Sequence, residues 1–219
     1  MRTGSMLRMR GCFMLAVCLF SIFGASAWIT QAEADHFKVG VSIENGRHRR
    51  FDLSVGDFYG VPLREVVFMR ERGIDEDEMP VVFFIARRAK VHPMAVVDLR
   101  VRRYSWMDIS LRYGLRPENF YFHVTTTYMA GPYSHAYRHF RSNPRKKWRS
   151  IRLDDRDIVN LVNLRYMSQR YRRPPEDIMR MRAAGRKFAS IHDYVHRNRL
   201  SRDRIEKAAY RNERVRWKK

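Results

Sequence analysis

An internal repeat of helical patterns limits the folds open to this chain. When the sequence is shifted by 82 residues without a gap, 84–109 falls on 166–191, and apolar, proline and arginine positions stay in register. A shorter third copy lies upstream, between Tyr59 and Gly73. Repetition of this kind is typical of a chain built from similar supersecondary units. Identical pairs are Arg88 and Arg170, Pro93 and Pro175, Arg100 and Arg182, and Ile109 and Ile191.

Each of the two longer copies predicts three short helices, the first opening on a capping aspartate and the second on a proline. The segment 81–86 is apolar enough for a buried strand, but the repeat register favours a helix. The first helices are predicted over 77–89 and 157–171, the second begin at Pro93 and Pro175, and the third span 105–113 and 187–197.

Upstream of the repeat, alternating apolar and polar residues predict a β-hairpin over 35–58. The alternation runs through 37–43 and resumes over 51–55, the period of two expected of half-buried strands. Asn45 and Gly46 between them form a favoured two-residue turn, because both tolerate a positive φ. The predicted fold is therefore mainly α, with an N-terminal β-hairpin followed by two related tri-helical units.

The remaining segments complete the predicted organisation. The connector is aromatic and basic, and Tyr121–Tyr128 within it has the pattern of one more strand. The predicted boundaries are a signal peptide at 1–34, the hairpin at 35–58, repeat unit 1 at 59–114, an irregular connector at 115–155, repeat unit 2 at 156–198, and a basic C-terminal helix or tail at 199–219.

The first residues have the pattern of an export signal. Arginines precede the apolar run 12–23, which is too short to cross a bilayer but matches the hydrophobic region of a signal peptide. Cleavage is predicted after Ala34, with Ala27 as the alternative site and an uncleaved anchor as the other interpretation. The predicted location is periplasmic or secreted, with no transmembrane span in the mature chain.

Export would also remove both cysteines, Cys12 and Cys18. The mature chain then has no thiol, which excludes disulfides, zinc–thiolate sites and a cysteine nucleophile.

The charge of the chain predicts an anionic partner. The net charge is +21, and loss of 1–34, with three arginines and one glutamate, leaves +19. An excess of this size suits lipopolysaccharide, nucleic acid or an acidic protein. A genome that favours arginine codons would produce the same excess without any such partner.

Aromatic residues are interspersed among basic residues within 138–149, and this mixture makes the segment the candidate polyanion-binding site. Cationic groups suit phosphates, and aromatic rings suit bases or a lipid headgroup layer. A solvated loop around a buried tryptophan is the alternative. The candidate residues are Arg138, Arg141, Arg145, Lys146, Lys147, Trp148 and Arg149.

Two pairs of histidines have the spacing of one helical turn, His135 with His139 and His192 with His196. The second pair, in HDYVH, resembles the HExxH motif of metalloproteases, but Asp193 stands where that motif has glutamate. With no third ligand apparent, a solvated or structural pair is favoured over a metal site. No metal or other cofactor is predicted, and His192 and His196 remain weak metal candidates.

The segment 85–100, IARRAKVHPMAVVDLR, resembles a helix-turn-helix, which implies a second helix placed in the major groove of DNA. Lys90 departs from the glycine usual in the turn. A second pattern resembles tandem helical repeats of uncharacterised exported bacterial proteins. Its residues are Pro93, Val96, Val97, Leu99, Arg100, Trp106 and Ile109 in one copy, and Pro175, Ile178, Met179, Met181, Arg182, Phe188 and Ile191 in the other. That resemblance covers about half of the mature chain and implies a helical scaffold without a known activity.

The sequence contains no glycine-rich phosphate loop, Ser–His–Asp signature or carboxylate pair at catalytic spacing. The predicted function is therefore a non-catalytic scaffold or binding module for an anionic envelope component or acidic partner. The alternatives are a DNA-binding helix-turn-helix protein whose signal is misread, and a metal-dependent hydrolase that uses His192 and His196.

Overall fold

The computed structural model describes residues 43–125 and 131–200, and this part of the chain is mainly α-helical, as predicted. None of its helices has both the length and the hydropathy needed to cross a membrane. Short 3-10 helices lie at Glu76–Glu78, Pro117–Asn119, Gly131–Tyr133 and Arg145–Ser150. The α-helices of the described residues are α1 (Ile43–Tyr59), α2 (Leu63–Glu71), α3 (Met79–Ala89), α4 (Pro93–Val101), α5 (Trp106–Arg112), α6 (Ser134–Ser142), α7 (Asp155–Tyr171), α8 (Pro175–Ala183) and α9 (188–200).

Local sequence explains where several helices begin. α4 and α8 each start on a proline, whose fixed φ suits the first turn and whose missing N–H is not needed there. α7 starts after Asp154, whose carboxylate accepts a hydrogen bond from the Asp157 amide at 2.7 Å in a capping box. The apolar segment 81–86 lies inside α3, so the prediction of a helix there is confirmed.

The backbone repeats its geometry at the spacing found in the sequence. α4 and α8 have the same length and begin 82 residues apart. α5 and α9 also begin 82 residues apart, and α3 and α7 end 82 residues apart. α2 has the same length as α4 and α8. The helices α2, α4 and α8 are each flanked by two residues in the left-handed region, one before the helix and one after it. These residues are Gly60 (φ 72°) and Gly73 (87°), Lys90 (56°) and Arg103 (69°), and Arg172 (50°) and Gly185 (80°).

A helix ends just before each of these six left-handed residues, and the same type of hydrogen bond closes every one of these ends. The amide of the following residue donates to the carbonyl five positions earlier, which satisfies a carbonyl that the helix leaves open. Three stretches of the chain therefore share one backbone path although their sequences differ. The donor and acceptor pairs are Val61 and Gly56 (2.8 Å), Val91 and Ala86 (3.0 Å), Arg173 and Ser168 (3.1 Å), Ile74 and Met69 (3.2 Å), Tyr104 and Leu99 (3.3 Å), and Arg186 and Met181 (3.3 Å).

Arg103 occupies a left-handed position that is glycine in the other two stretches, Gly73 and Gly185. A side chain in this conformation costs about 1 kcal/mol because Cβ approaches the following carbonyl. We expect Arg103→Gly to raise the free energy of unfolding by about 0.5–1 kcal/mol in urea titration, since glycine relieves that strain. The neighbouring Arg102 has an ordinary φ of −77°, so Arg102→Gly is the control and should lower the free energy of unfolding. The prediction is contradicted if Arg103→Gly also lowers it.

The core of the described residues is centred on α7. This helix packs against α3, α5 and α8, and its buried side chains lie on all sides of its axis. α3 contributes a run of eight consecutive apolar residues, from Met79 to Ala86, all of which are buried. The buried apolar residues of α7 are Ile158, Leu161, Val162, Leu164, Tyr166, Met167 and Tyr171.

The prediction of a β-hairpin over 35–58 is wrong for those of its residues that the structure describes. Residues 43–58 belong to α1, and 35–42 lie outside the described residues. Phe51 and Val55, one helical turn apart, are fully buried, whereas Leu53 between them is 44% exposed. A strand would place all three side chains on one face, and a helix turns Leu53 away. The alternation of apolar residues in this segment therefore arose within an amphipathic helix.

The connector 115–155 is more ordered than the sequence predicted, because it contains α6 and the 3-10 helix Arg145–Ser150. The predicted strand Tyr121–Tyr128 is absent over 121–125, which have no regular secondary structure; 126–128 lie outside the described residues. The predicted signal peptide at 1–34 and residues 201–219 of the basic C-terminal segment also lie outside them.

Candidate anion-binding site

A cavity of about 560 Å³ opens beside the central helix α7. The end of α1, the end of α3 and residue 122 of the connector form its other walls. Aromatic rings and three arginines line it, and no acidic residue is among the lining side chains. These are Phe58, Tyr59, Phe84, Arg87, Arg88, Phe122, Arg165 and Gln169.

Arg165 is the innermost charged group of this cavity. Its Nη2 donates a hydrogen bond to the Tyr121 carbonyl at 2.7 Å, and its guanidinium lies 5.0 Å from the ring centroid of Phe84 and 5.6 Å from that of Phe122. Its Nη1 is buried and has no hydrogen-bond partner among the described residues. A buried donor without an acceptor is unfavourable by about 1–3 kcal/mol, and more when the group is charged.

The electrostatic surroundings of Arg165 are unfavourable for a cation. Burial lowers its pKa, and the positive charge of Arg88 lowers the pKa further. Tyr59, whose own pKa is raised by burial, is nearby but uncharged at neutral pH. No carboxylate of the described residues forms an ion pair with Arg165, although buried charges in proteins are usually paired. An anion in the cavity would supply both the missing acceptor and the missing charge.

Arg87 and Arg88 form the outer part of the same site. Both project from the last turn of α3, where the helix dipole favours positive charge. Both are exposed, and the guanidinium of Arg88 lies 5.3 Å from the centroid of Phe84. Three guanidinium groups thus surround one partly enclosed volume with apolar walls, a chemical arrangement suited to an anion that carries an apolar portion.

The structure places the predicted polyanion-binding residues on α6 and on the 3-10 helix Arg145–Ser150. The Trp148 ring packs against Phe140 and Tyr121, with centroid distances of 4.9 and 4.6 Å, and its Nε1 donates to the carbonyls of Phe140 and Asn143. Trp148 therefore anchors the segment. The six cations around it are exposed: Arg138, Arg141, Arg145, Lys146, Lys147 and Arg149.

Tyr121 joins this basic surface to the cavity. Its ring contacts Trp148, its carbonyl accepts the hydrogen bond from Arg165, and the next residue, Phe122, lines the cavity. The guanidinium of Arg145 lies over the Trp148 ring, 5.2 Å from its centroid. The exposed cations and the enclosed arginine are therefore parts of one continuous region.

Comparison of the chain with models of protein families, with curated proteins and with solved structures finds no match.

Among the described residues, neither of the two predicted metal candidates belongs to a group of three or more possible ligands. His192 is buried between Phe51 and Tyr171, at centroid distances of 5.6 and 5.8 Å. Its ring is parallel to that of His196 at 5.8 Å. The adjacent carboxylate of Asp193 forms a salt bridge with Arg50 at 2.9 Å. These contacts explain the pair as part of the packing between α1, α7 and α9.

The helix-turn-helix resemblance falls on α3 and α4. Arg100, at the end of α4, forms ion pairs with Glu78 and Asp155, so its guanidinium is directed into the protein. Arg100 also borders a cleft of about 740 Å³ lined by the acidic residues of 75–78 together with Arg156, Arg182 and Lys187. The exposed Asp98 on α4 pairs with Arg72 at 3.0 Å, so these two charges compensate each other at the surface.

Sequence analysis did not identify Arg165, Arg87 or Arg88 as site residues. One signal was present for Arg165: it lies in the apolar stretch 158–167 and has no acidic residue three or four positions away on its own helix. An arginine in that setting is either paired from another element or left unpaired. Only the three-dimensional structure distinguishes these outcomes.

Proposed function

We propose that this chain is an exported, non-catalytic module that binds an anionic amphiphile of the cell envelope. The observation that carries the proposal is the buried Nη1 of Arg165, which has no acceptor among the described residues. In this proposal an anionic headgroup accepts hydrogen bonds from Arg165. The aromatic walls then contact the apolar part of the ligand, and the exposed cations of 138–149 attract the surrounding anionic surface.

The chemistry of the site favours a phosphate-bearing lipid among the anionic partners that the charge allows. A guanidinium presents its N–H groups in a planar fork that matches phosphate oxygens. The cavity walls are largely aromatic, which suits an apolar chain next to the headgroup. Each lysine or arginine near an anionic membrane adds about 1 kcal/mol of attraction, so the exposed cations supply affinity without selecting a particular headgroup.

We also propose that the two tri-helical units are copies of one structural element. The 82-residue spacing between their helices and their left-handed residues support this interpretation. Export is supported by the apolar run 12–23 and the arginines before it. Intact-mass analysis of the protein from fractionated cells tests the export: a mature chain that begins at Asp35 or Trp28 supports it, and a full-length cytoplasmic chain contradicts it.

Arg165→Met tests the binding site. We expect the variant to bind vesicles of phosphatidylcholine and phosphatidylglycerol at least about 10-fold more weakly than the unchanged protein, because a charged hydrogen bond contributes about 1.5–3 kcal/mol. Its free energy of unfolding should stay within about 1 kcal/mol of that of the unchanged protein. Removal of a partly buried cation without an ion pair offsets the loss of its hydrogen bond to the Tyr121 carbonyl. Vesicle co-sedimentation at fixed salt measures the affinity, with pure phosphatidylcholine vesicles as the blank.

Arg112→Met is the matched control, because Arg112 is exposed on α5 and the change removes the same charge. The combined change of Arg145, Lys146, Lys147 and Arg149 to Ala should weaken binding to vesicles and to single-stranded DNA alike. Equal vesicle affinities for Arg165→Met and Arg112→Met would refute the cavity as the binding site. Tighter binding to DNA than to anionic vesicles would refute the choice of ligand.

A further inference from the structure

The first pair of histidines, His135 and His139, lies one turn apart on α6 with both rings on one face. Their Nε2 atoms are 3.3 Å apart, and their rings are inclined at 80° with centroids 4.7 Å apart. A tetrahedral zinc ion about 2.0–2.1 Å from each of two nitrogens requires those nitrogens to be about 3.3 Å apart. The separation in the structure therefore equals that of two ligands of one ion.

A buried carboxylate fixes the orientation of His135. Its Nδ1 lies 2.6 Å from Oδ2 of Asp157, and the Asp157 side chain is only 2% exposed. The capping box at the start of α7 holds this carboxylate, since Asp157 Oδ2 also accepts the Asp154 amide at 3.1 Å. An imidazole that donates from Nδ1 to a carboxylate keeps its lone pair on Nε2, the arrangement common for metal-binding histidines.

The surroundings of the pair leave room for an ion. The His135 side chain is 51% exposed, so solvent reaches Nε2 and water can complete the coordination. The carboxylate of Asp154 also lies near the group: ligand atoms of His135, Asp154 and Asp157 all fall within 4.8 Å of one another. The two carboxylates provide negative charge beside the histidines. The capping box explains the positions of both aspartates, whereas the two imidazoles converge either through their own hydrogen bond or on a shared ion.

We propose that His135 and His139 bind a divalent transition-metal ion through their Nε2 atoms, and that Asp157 holds His135 in the orientation that binding requires. Imidazole nitrogens suit Zn²⁺, Cu²⁺ and Ni²⁺, with Cu²⁺ bound most tightly. Without the ion, a hydrogen bond between the two imidazoles occupies the same positions. Two protein ligands leave coordination positions open, so the bound ion would remain accessible to an anionic ligand from solution.

The second pair, His192 and His196, has the same sequence spacing but a different geometry. Its rings are parallel, with an interplanar angle of 5° and centroids 5.8 Å apart, and His192 is buried. No hydrogen bond joins the nitrogens of these two described histidines, in contrast to the 3.3 Å contact between the Nε2 atoms of His135 and His139. This pair therefore serves as an internal control for the effect of geometry on metal binding.

Calorimetric titration of the untagged, chelator-treated protein with ZnCl₂ at neutral pH tests the proposal. We expect the tightest site to bind one ion per chain and to weaken at least about 10-fold in His139→Ala. Loss of an orienting carboxylate weakens metal binding by about 10–100-fold, so Asp157→Asn should fall in this range. His196→Ala should bind as the unchanged protein does.

Controls distinguish a variant that fails to fold from one that folds but lacks a ligand. Circular dichroism measures the helix content of each variant. His135→Gln removes one ligand without altering the capping box. Nitrogen-15 chemical shifts of the imidazoles should move at Nε2 of both His135 and His139 when zinc is added. Absence of zinc binding in the unchanged protein, or an unchanged affinity in His139→Ala, would overturn the proposal.

Discussion

Replacing Trp106 by alanine is expected to lower the free energy of unfolding by about 4 kcal/mol. Removal of a buried tryptophan costs about 3–5 kcal/mol, because transfer energy is lost and a cavity remains. Trp106 is fully buried, its Nε1 donates to Glu78 at 3.0 Å, and the guanidinium of Arg100 lies 4.7 Å from its ring centroid. Chemical denaturation monitored by circular dichroism measures the change.

The chain itself supplies the control substitution for this site. Phe188 occupies the equivalent place at the start of α9, where Arg182 lies 4.6 Å from its ring centroid. Trp106→Phe should therefore keep the stacking with Arg100 and lower stability by only about 1–2 kcal/mol. Tyr104→Ala, at an exposed neighbour, should change stability by less than about 0.5 kcal/mol. A small effect of Trp106→Ala, comparable to that of Tyr104→Ala, would contradict the role assigned to Trp106 in the core.

Acidification from neutral pH to about pH 4 is expected to lower the free energy of unfolding by about 3 kcal/mol through His192 alone. Burial lowers the pKa of His192 to about 4, while the adjacent Asp193 opposes this shift and His196 and Arg50 add to it. The unfolded chain takes up a proton near pH 6.5, whereas the folded chain keeps His192 neutral until about pH 4. Protonation therefore favours the unfolded state across this interval, and the loss is complete below it.

His192→Phe isolates this contribution, because it keeps a ring between Phe51 and Tyr171 but removes the titrating group. The unfolding free energy of the variant should fall less steeply than that of the unchanged protein between pH 6.5 and 4. Asp193 has a pKa lowered by its hydrogen bond to Arg50 against the effect of burial, so its protonation weakens the fold only at lower pH. Parallel pH profiles for the two proteins would show that His192 is not the group responsible.

The helical core was predictable because its signals are local. Prolines at the starts of α4 and α8 and apolar residues at helical spacing specify these elements without reference to the rest of the chain. α1 was not predicted because Phe51, Leu53 and Val55 fit a strand as well as an amphipathic helix. Their burial depends on which element packs against them, and the sequence of the segment does not contain that information.

The candidate site was less predictable for the same physical reason. The basic residues of 138–149 are visible as a run of charges, but Arg165 differs from other arginines only by what surrounds it in space. Likewise, both histidine pairs have identical spacing. Only the ring orientations and the approach of Asp157 from α7 separate an arrangement that fits a metal ion from one that fills the core.

The left-handed residues that flank α2, α4 and α8 lie thirteen positions apart in each stretch, although the residue types at these positions vary among glycine, lysine and arginine. The main-chain conformation at these six positions is therefore shared, although the side chains differ. A residue other than glycine is disfavoured in the left-handed region by about 1 kcal/mol. Lys90, Arg103 and Arg172 therefore follow the shared backbone path against the preference of their own side chains.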